Sequence, residues 1–394
     1  MQYDQYQTVF ALSSLSNWVS TRKGTAQALQ ADYQHVLHAT LASAAAQDAI
    51  GTWELVWGPQ VWQAPDSQRS DNAMFVAKAG TVPGIEGDVY VVAICATNPN
   101  SLYDWLVEDF DVSVVVDFAT YDPLAGTVPV RTPKPVAPGT VVISMGTALG
   151  VWHLLNMVSP ASASAPGTTL ASFLQTAANE NATVIFAGHS LGGALAPTMA
   201  TWFERTGRLD GCKAVYCYPT AGATPGNTDF AALFQATLPP VIGNKPYQTW
   251  NRDLWNTLDA VPHAWVLAML RQIKSLYGNK PIAGVDALVS FARANARASG
   301  VIYSQITNQP LQGTRSGDPP TTTLAFLEQM RIQHGTAYEA LIADWLQPVV
   351  PLGRALQTAE VDMDALLAEL ARRLDAGSDT VKALEAEERA ALGE

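Results

Sequence analysis

The sequence predicts an α/β fold, a central mixed, mostly parallel sheet flanked by helices, with lid and helical insertions. β-branched or alternating apolar runs recur between stretches of helical periodicity along the chain. One of these runs, Ala182 to Ala187, passes through a short glycine-containing turn directly into a helix-periodic segment. Of the 394 residues, 48% are apolar and 15% charged, enough to bury one large core and unlike a disordered chain. The expected organisation is a single domain over 1–350, with a lid loop at about 119–145 and a helical cap insertion at about 264–320, followed by an acidic helical tail over 351–394.

Met1 to Ser20 has no basic stretch followed by an apolar one, so it does not read as a signal peptide. No apolar run reaches the length of a membrane span, and the expectation is a cytoplasmic or a mature secreted protein. The Ala- and Gln-rich stretch from Thr25 to Ala49 reads as a helix. Strands are expected over Trp53 to Trp62, Ala73 to Ala79 and Val89 to Ala96. Ser101 and Asp104 have capping-box spacing and start a short helix through Glu108, and Val112 to Phe118 is a further strand candidate. Asp122 to Thr140 holds five prolines and two glycines and is expected to be a long loop. A helix over Gly150 to Val158, a Ser/Ala/Pro linker over Ala161 to Gly167 and a helix through about Asn179 follow.

After the Ala182 to Ala187 strand, Leu191 to Thr206 places Leu195, Met199, Trp202 and Phe203 at helical spacing, with Gly207 as the stop. Lys213 to Tyr218 and Tyr247 to Arg252 are the next expected strands. Ala264 to about Ser299 is helical in pattern, and Thr321 to Trp345 forms two more helices. Ala359 to Leu392 is acidic and amphipathic, a solvated helix packed along its Leu stripe.

A net charge of −12 repels phosphate backbones and anionic membranes, so neither nucleic acid nor an anionic lipid surface is an expected partner. Cys95, Cys212 and Cys217 are too few and too scattered for a disulfide framework and read as small buried hydrophobes. No clustered His/Cys pattern suggests a metal, and no cofactor is implied. Oligomeric state is left open.

Gly188-His189-Ser190-Leu191-Gly192 occupies the turn between the Ala182 strand and the Leu191 helix. A serine hydroxyl at such a corner is exposed to a substrate and to a base, and the flanking glycines avoid clashes of a β-carbon with the adjoining strand and helix. The pattern G-x-S-x-G alone is weak; the strand before and helix after are the context it requires. Ser190 is therefore the candidate nucleophile. Val184 to Ala196 resembles the nucleophile region of the class 3 (fungal-type) lipase family, within the α/β-hydrolase superfamily. Val215 to Gly222 is similar to that family's next strand and P-x-x-G corner, Leu258-Asp-Ala-Val-Pro-His263 to its aspartate-bearing stretch, and Val92 to Trp105 to its oxyanion strand and D-W helix. The resemblance covers roughly residues 85 to 340.

A triad of this kind runs Ser, then acid, then His. Two histidines follow at a distance, His263 and His334. His334 precedes a capping-box pair, Thr336 and Glu339, which would put it on a loop just before a helix; it is the preferred base, with His263 as rival. Asp259, in the stretch that resembles the family's, is the preferred acid, with Asp253 beside Arg252 as rival. His189 is structural in the resemblance, and His35, His38 and His153 read as surface or packing residues. The oxyanion is expected to be held by the backbone N–H of Leu191 and by Thr97. Where the family has Arg-Gly-Thr or Arg-Gly-Ser, this chain has Cys95-Ala96-Thr97, a departure at the oxyanion loop.

The resemblance implies a serine carboxylic-ester hydrolase, a triacylglycerol lipase, with an esterase or phospholipase A1 as alternative and a non-catalytic lipase-like binding module as the alternative of another class. The partners it implies are a small-molecule or lipid ester and transient contact with a lipid interface. Trp152, Leu154, Leu155 and Met157, and Trp265 to Leu270, are the candidate acyl-pocket stripes, each also readable as plain core.

Overall fold

The computed structural model describes residues 2–65, 67–96, 111–278, 280–315 and 317–343. In chain order it begins with helices α1 (Gln5–Ser16), α2 (Ala26–Ala42) and α3 (Ala44–Ile50), then strands β1 (Glu54–Trp62), β2 (Asn72–Ala79) and β3 (Asp88–Ile94). A short hairpin follows, β4 (Val115–Asp117) with β5 (Val142–Ser144), then helices α4 (Met145–Asn156) and α5 (Leu170–Ala177). The central segment is β6 (Ala182–His189), α6 (Leu191–Arg205), β7 (Ala214–Thr220) and α7 (Thr228–Thr237). A second small hairpin, β8 (Val241–Ile242) with β9 (Thr249–Trp250), leads to β10 (Asp253–Asn256). The rest comprises α8 (Leu267–Gln272), α9 (Ala283–Ala298), β11 (Asn308–Leu311) and α10 (Thr323–His334), then a single turn Thr336–Tyr338 and a π-turn Glu339–Ala343.

Seven strands form the main sheet in the order β1-β2-β3-β6-β7-β10-β11. β1, β2 and β3 pair antiparallel, and every later neighbour is parallel, so the expected mixed, mostly parallel sheet is present. β2, β3 and β6 alternate cleanly between faces, as a period of two requires. Phe75, Val91, Ala93, Ile185 and Ala187 face one buried cluster, which α1, α2 and α3 cover. Met74, Val92, Ile94, Val184 and Phe186 face another, covered by α4, α5, α6 and α7. A third cluster joins Trp265, Leu270, Val285, Leu288, Phe326 and Met330 to Ala194 of α6, beside the turn at Ser190.

Several expectations are corrected. The N-terminal segment, read only for its lack of a leader pattern, forms α1, buried from Thr8 to Ser16. Its polar residues Thr8, Ser13 and Ser14 are buried alongside Val9, Phe10 and Leu12, so no amphipathic stripe announces it. The Thr25 to Ala49 helix is two helices, because Ser43 leaves the helix and caps α3 by accepting from the Ala46 N–H. The strand at 112–118 shortens to β4 and pairs with β5 outside the main sheet. The strand expected at 247–252 splits: Thr249–Trp250 joins a hairpin, and the sheet continues instead through Asp253–Asn256. β11, unforeseen, lies within 264–320 as the sheet's edge strand beside β10. Its Asn308-Gln-Pro-Leu311 sequence lacks β-branched residues, and Pro310 is tolerated because the strand is at the edge.

Burial holds the thiols protonated: it pushes Cys95 up to about 12 and Cys212 up to about 11. Among the described residues no helix is long and apolar enough to cross a membrane. The Ser101 helix and the tail over 351–394 fall outside the described residues.

Candidate active site

Ser190 stands between β6 and α6 with φ 59° and ψ −117°, a conformation that costs an ordinary residue about 1–3 kcal/mol. The turn is enforced from both sides. A β-carbon on Gly188 would collide with the Gly192 carbonyl oxygen, and one on Gly192 would collide with that of Ile94. The Ser190 N–H donates to the Thr220 carbonyl at 3.0 Å, tying the turn to the end of β7. Leu191 opens α6, so its N–H is among the first-turn amides that have no acceptor within the helix.

Asp259 and His334, 75 positions apart in sequence, meet in the interior: His334 Nδ1 lies 2.8 Å from Asp259 Oδ2. Asp259 is fully buried and His334 is 5% exposed. The other carboxylate oxygen accepts the Val261 N–H at 2.9 Å, and Tyr338 donates its hydroxyl to Oδ2 at 2.8 Å. Three donors thus pair a carboxylate that would otherwise be buried unsatisfied. Because a carboxylate only accepts, Nδ1 carries the proton and the His334 Nε2 lone pair is left bare. That nitrogen is buried and has no hydrogen-bond partner among the described residues.

Asn256, at the end of β10, donates its backbone N–H to the Tyr338 hydroxyl oxygen at 2.9 Å, and its side-chain amide donates to Gln333 at both the carbonyl oxygen (2.9 Å) and Oε1 (2.7 Å). The end of β10 and the end of α10 are therefore stitched together around the Asp259 and His334 pair. Tyr338 and Asn256 were missed by sequence reasoning. A tyrosine four residues past the histidine was the available signal, and the distances decide its meaning.

The structure separates the rivals. His263 lies on a short 3₁₀ turn, Val261–His263, and its Nδ1–H donates to the backbone carbonyl of Asp259 at 2.7 Å rather than to the carboxylate. His334 ends α10 and does not sit on a loop before a capped helix: the helix ends at Gly335, and Thr336 makes no N-terminal cap to the turn that follows. His189 is buried and held neutral, its pKa pushed down to about 3 chiefly by burial and then by the charge of His334. Its Nε2–H donates to the His334 carbonyl at 2.8 Å and its Nδ1 accepts from Thr220 Oγ1 at 2.9 Å, so it braces the backbone of His334. His35 and His38 lie on the outer side of α2, and His153 stacks on Trp62 at 3.7 Å. Thr97 lies outside the described residues.

Asp253 accepts the Gly222 N–H at 3.1 Å and has no bond to a histidine among the described residues. Burial, reinforced by the negative charge of Asp259, holds its carboxyl well above the usual carboxylate range. Both folded and unfolded forms are protonated at low pH. As pH rises the unfolded form ionises first, at about pH 4, so this group's contribution to stability is lost upward through its raised folded value. Asp253→Asn keeps the acceptor for Gly222 and cannot ionise. Its melting temperature relative to the parent is expected to climb between about pH 4 and pH 8, by a few degrees. A pH-independent difference in thermal melting would contradict this.

The apolar stripes divide. Leu154, Leu155 and Met157 are buried in the core cluster with Leu195 and Met199. Trp265 and Leu270 belong to the cluster that contains Ala194 and is flanked by Leu191, next to Ser190. The 122–140 stretch forms no helix or strand and is anchored: the Thr132 N–H donates to the Val115 carbonyl at 2.7 Å, and Lys134 Nζ donates to the carbonyls of Ser113 and Ala298. Val128 and Val130 project from it, 59% and 76% exposed.

Among known proteins, residues 149–267 match the family described as lipase (class 3), a span that contains Ser190 and Asp259 and stops short of His334. The crystal structure of M37 lipase is similar over 94% of this chain and 100% of that one, with 28% identity and a TM-score of 0.69. Rhizomucor miehei lipase, in its propeptide complex, is a remoter likeness: 16% identity, 67% of this chain, 63% of that one, TM-score 0.38. A mutant form of MDLA from Penicillium cyclopium is similarly remote: 16% identity, 80% of this chain, 82% of that one, TM-score 0.38. No curated protein matches the chain in sequence.

Proposed function

We propose that this chain, whose residues 149–267 match the class 3 lipase family, is a lipase that hydrolyses acylglycerol esters through an acyl-enzyme on Ser190. The observation that carries the reading is the bare, buried Nε2 of His334, whose Nδ1 faces Asp259 at 2.8 Å. Such a histidine is set to accept one proton and no more.

In the proposed cycle His334 Nε2 takes the Ser190 hydroxyl proton as Oγ bonds to the ester carbonyl carbon. The carbonyl electrons move to oxygen, and the Leu191 N–H at the start of α6, with Thr97, stabilises the oxyanion. Collapse breaks the bond to the alcohol, and His334 returns the proton to that leaving oxygen. Water then repeats the sequence on the acyl-enzyme, releasing the fatty acid and restoring Ser190. Asp259 holds the His334 tautomer and offsets the imidazolium charge at each transfer. Trp265 and Leu270 support an apolar acyl-binding wall next to Leu191.

The test is hydrolysis of p-nitrophenyl esters from C2 to C16, with and without an emulsion interface, together with labelling by a fluorophosphonate. Labelling at Ser190 and rising kcat/KM toward long chains are expected. A peak at short chains with no response to the interface would make it an esterase. An unlabelled, inactive protein would leave a binding module.

A further inference from the structure

The chain departs from the class 3 pattern just before Thr97, where Cys95-Ala96 replaces Arg-Gly. The backbone at this point runs beside the nucleophile turn. Ile94 pairs with Gly188, and the Ile94 carbonyl is the atom that forbids a β-carbon on Gly192. The ladder to β2 ends with the Cys95 N–H donating to the Ala73 carbonyl at 2.9 Å. The next amide, that of Ala96, is buried and has left the sheet.

Its acceptor is a side chain 79 positions away in the sequence. Asn17 Oδ1 takes the Ala96 N–H at 2.7 Å. Asn17 is the C-terminal cap of α1, the helix packed across β3 and β6, and it is 4% exposed. The Asn17 backbone carbonyl accepts the Ser20 hydroxyl at 2.8 Å and the Ser20 N–H at 3.2 Å, and Oδ1 also takes the Ser16 hydroxyl at 3.4 Å. Its Nδ2 is buried with no partner among the described residues. A buried amide leaving a strand needs an acceptor, but a rigid one reaching across from a packed helix also fixes where the chain goes next.

We propose that Asn17 is a positioning residue for ester hydrolysis: by holding the Ala96 N–H, it sets the direction of the backbone entering the oxyanion loop, in place of the missing Arg-Gly. This rests on the hydrolase reading above. It predicts an effect confined to the transition state, because the oxyanion donors act most strongly there.

The experiment compares full-length Asn17→Leu and Asn17→Ser, which remove or withdraw the acceptor, with Asn17→Asp, which keeps Oδ1. Soluble ester kinetics, fluorophosphonate inactivation rates and thermal melting are read on each. In the Leu and Ser variants kcat is expected to fall about tenfold or more, with KM within about twofold and inactivation slowed in parallel. Asn17→Asp is expected to recover to within about threefold of the parent. The Ser variant serves if the Leu variant fails to fold, and Asn17→Asp alone must keep its activity for the proposal to stand. Unchanged kcat in a folded Leu or Ser variant, a change in KM only, or an equal kcat loss in Asn17→Asp overturns it. If the parent protein itself neither hydrolyses esters nor labels, the hydrolase reading fails, and that outcome is distinct from a failure of Asn17 alone.

Discussion

Ser190→Ala is expected to lower kcat/KM on p-nitrophenyl esters by about 10⁴-fold or more and to abolish fluorophosphonate labelling, with thermal stability within about 1 kcal/mol of the parent. The two halves of that result have separate causes. The substitution removes only Oγ, and Oγ is the atom that would form the acyl bond. What holds the turn is untouched: the N–H to Thr220 is backbone, and the close approaches of Gly188 to Gly192 and of Gly192 to Ile94 involve no serine side-chain atom. Alanine carries the same β-carbon as serine, so the cost of φ 59° is unchanged. Turnover above about one per cent of the parent in a folded Ser190→Ala protein would remove Ser190 from its role.

His334→Ala and His263→Ala should part company by a similar margin. Loss of His334 removes the only imidazole bonded to the Asp259 carboxylate among the described residues, and with it the bare Nε2. A loss in kcat of about 10⁴-fold is expected, since nothing else there takes the serine proton. His263→Ala instead loses a bond to the Asp259 main-chain carbonyl and an edge contact with Trp255 at 5.4 Å. That is a local structural loss of about 1–3 kcal/mol, with activity within about tenfold. His263 is also buried and its pKa is lowered, chiefly by burial, so it resists taking a proton. Equal residual activity in the two variants would sink the assignment of His334.

The sequence carried the local parts well. Ala182–His189, Ser190 and Leu191–Arg205 lie within one short stretch, and the glycine spacing, the apolar strand and the helical stripe all point to the same turn. The alternating, β-branched or apolar runs at Ala73 to Ala79, Val89 to Ala96 and Ala182 to Ala187 marked β2, β3 and β6 as strands. Where no period existed, reading failed. α1 is buried on all sides with serines among its apolar residues, and β11 is an edge strand containing a proline, so neither shows a pattern. The capping pair Thr336 and Glu339 misled about His334, because Gly335 stands at the N-cap position and no side-chain cap forms there.

The strand-turn-helix unit around the candidate nucleophile and the mostly parallel sheet were thus legible in the sequence alone, since strand, turn and helix preferences act over neighbouring residues. Which histidine meets which carboxylate was decided only by tertiary structure. His263 and His334, like Asp253 and Asp259, are equivalent as residue types. What distinguishes them is that α10 ends against the loop after β10, where Tyr338, Asn256 and Gln333 lock one histidine onto one carboxylate. The Asn17 contact with Ala96 spans 79 positions. No local preference encodes such meetings, because they arise from packing α1 on the sheet and α10 against α9.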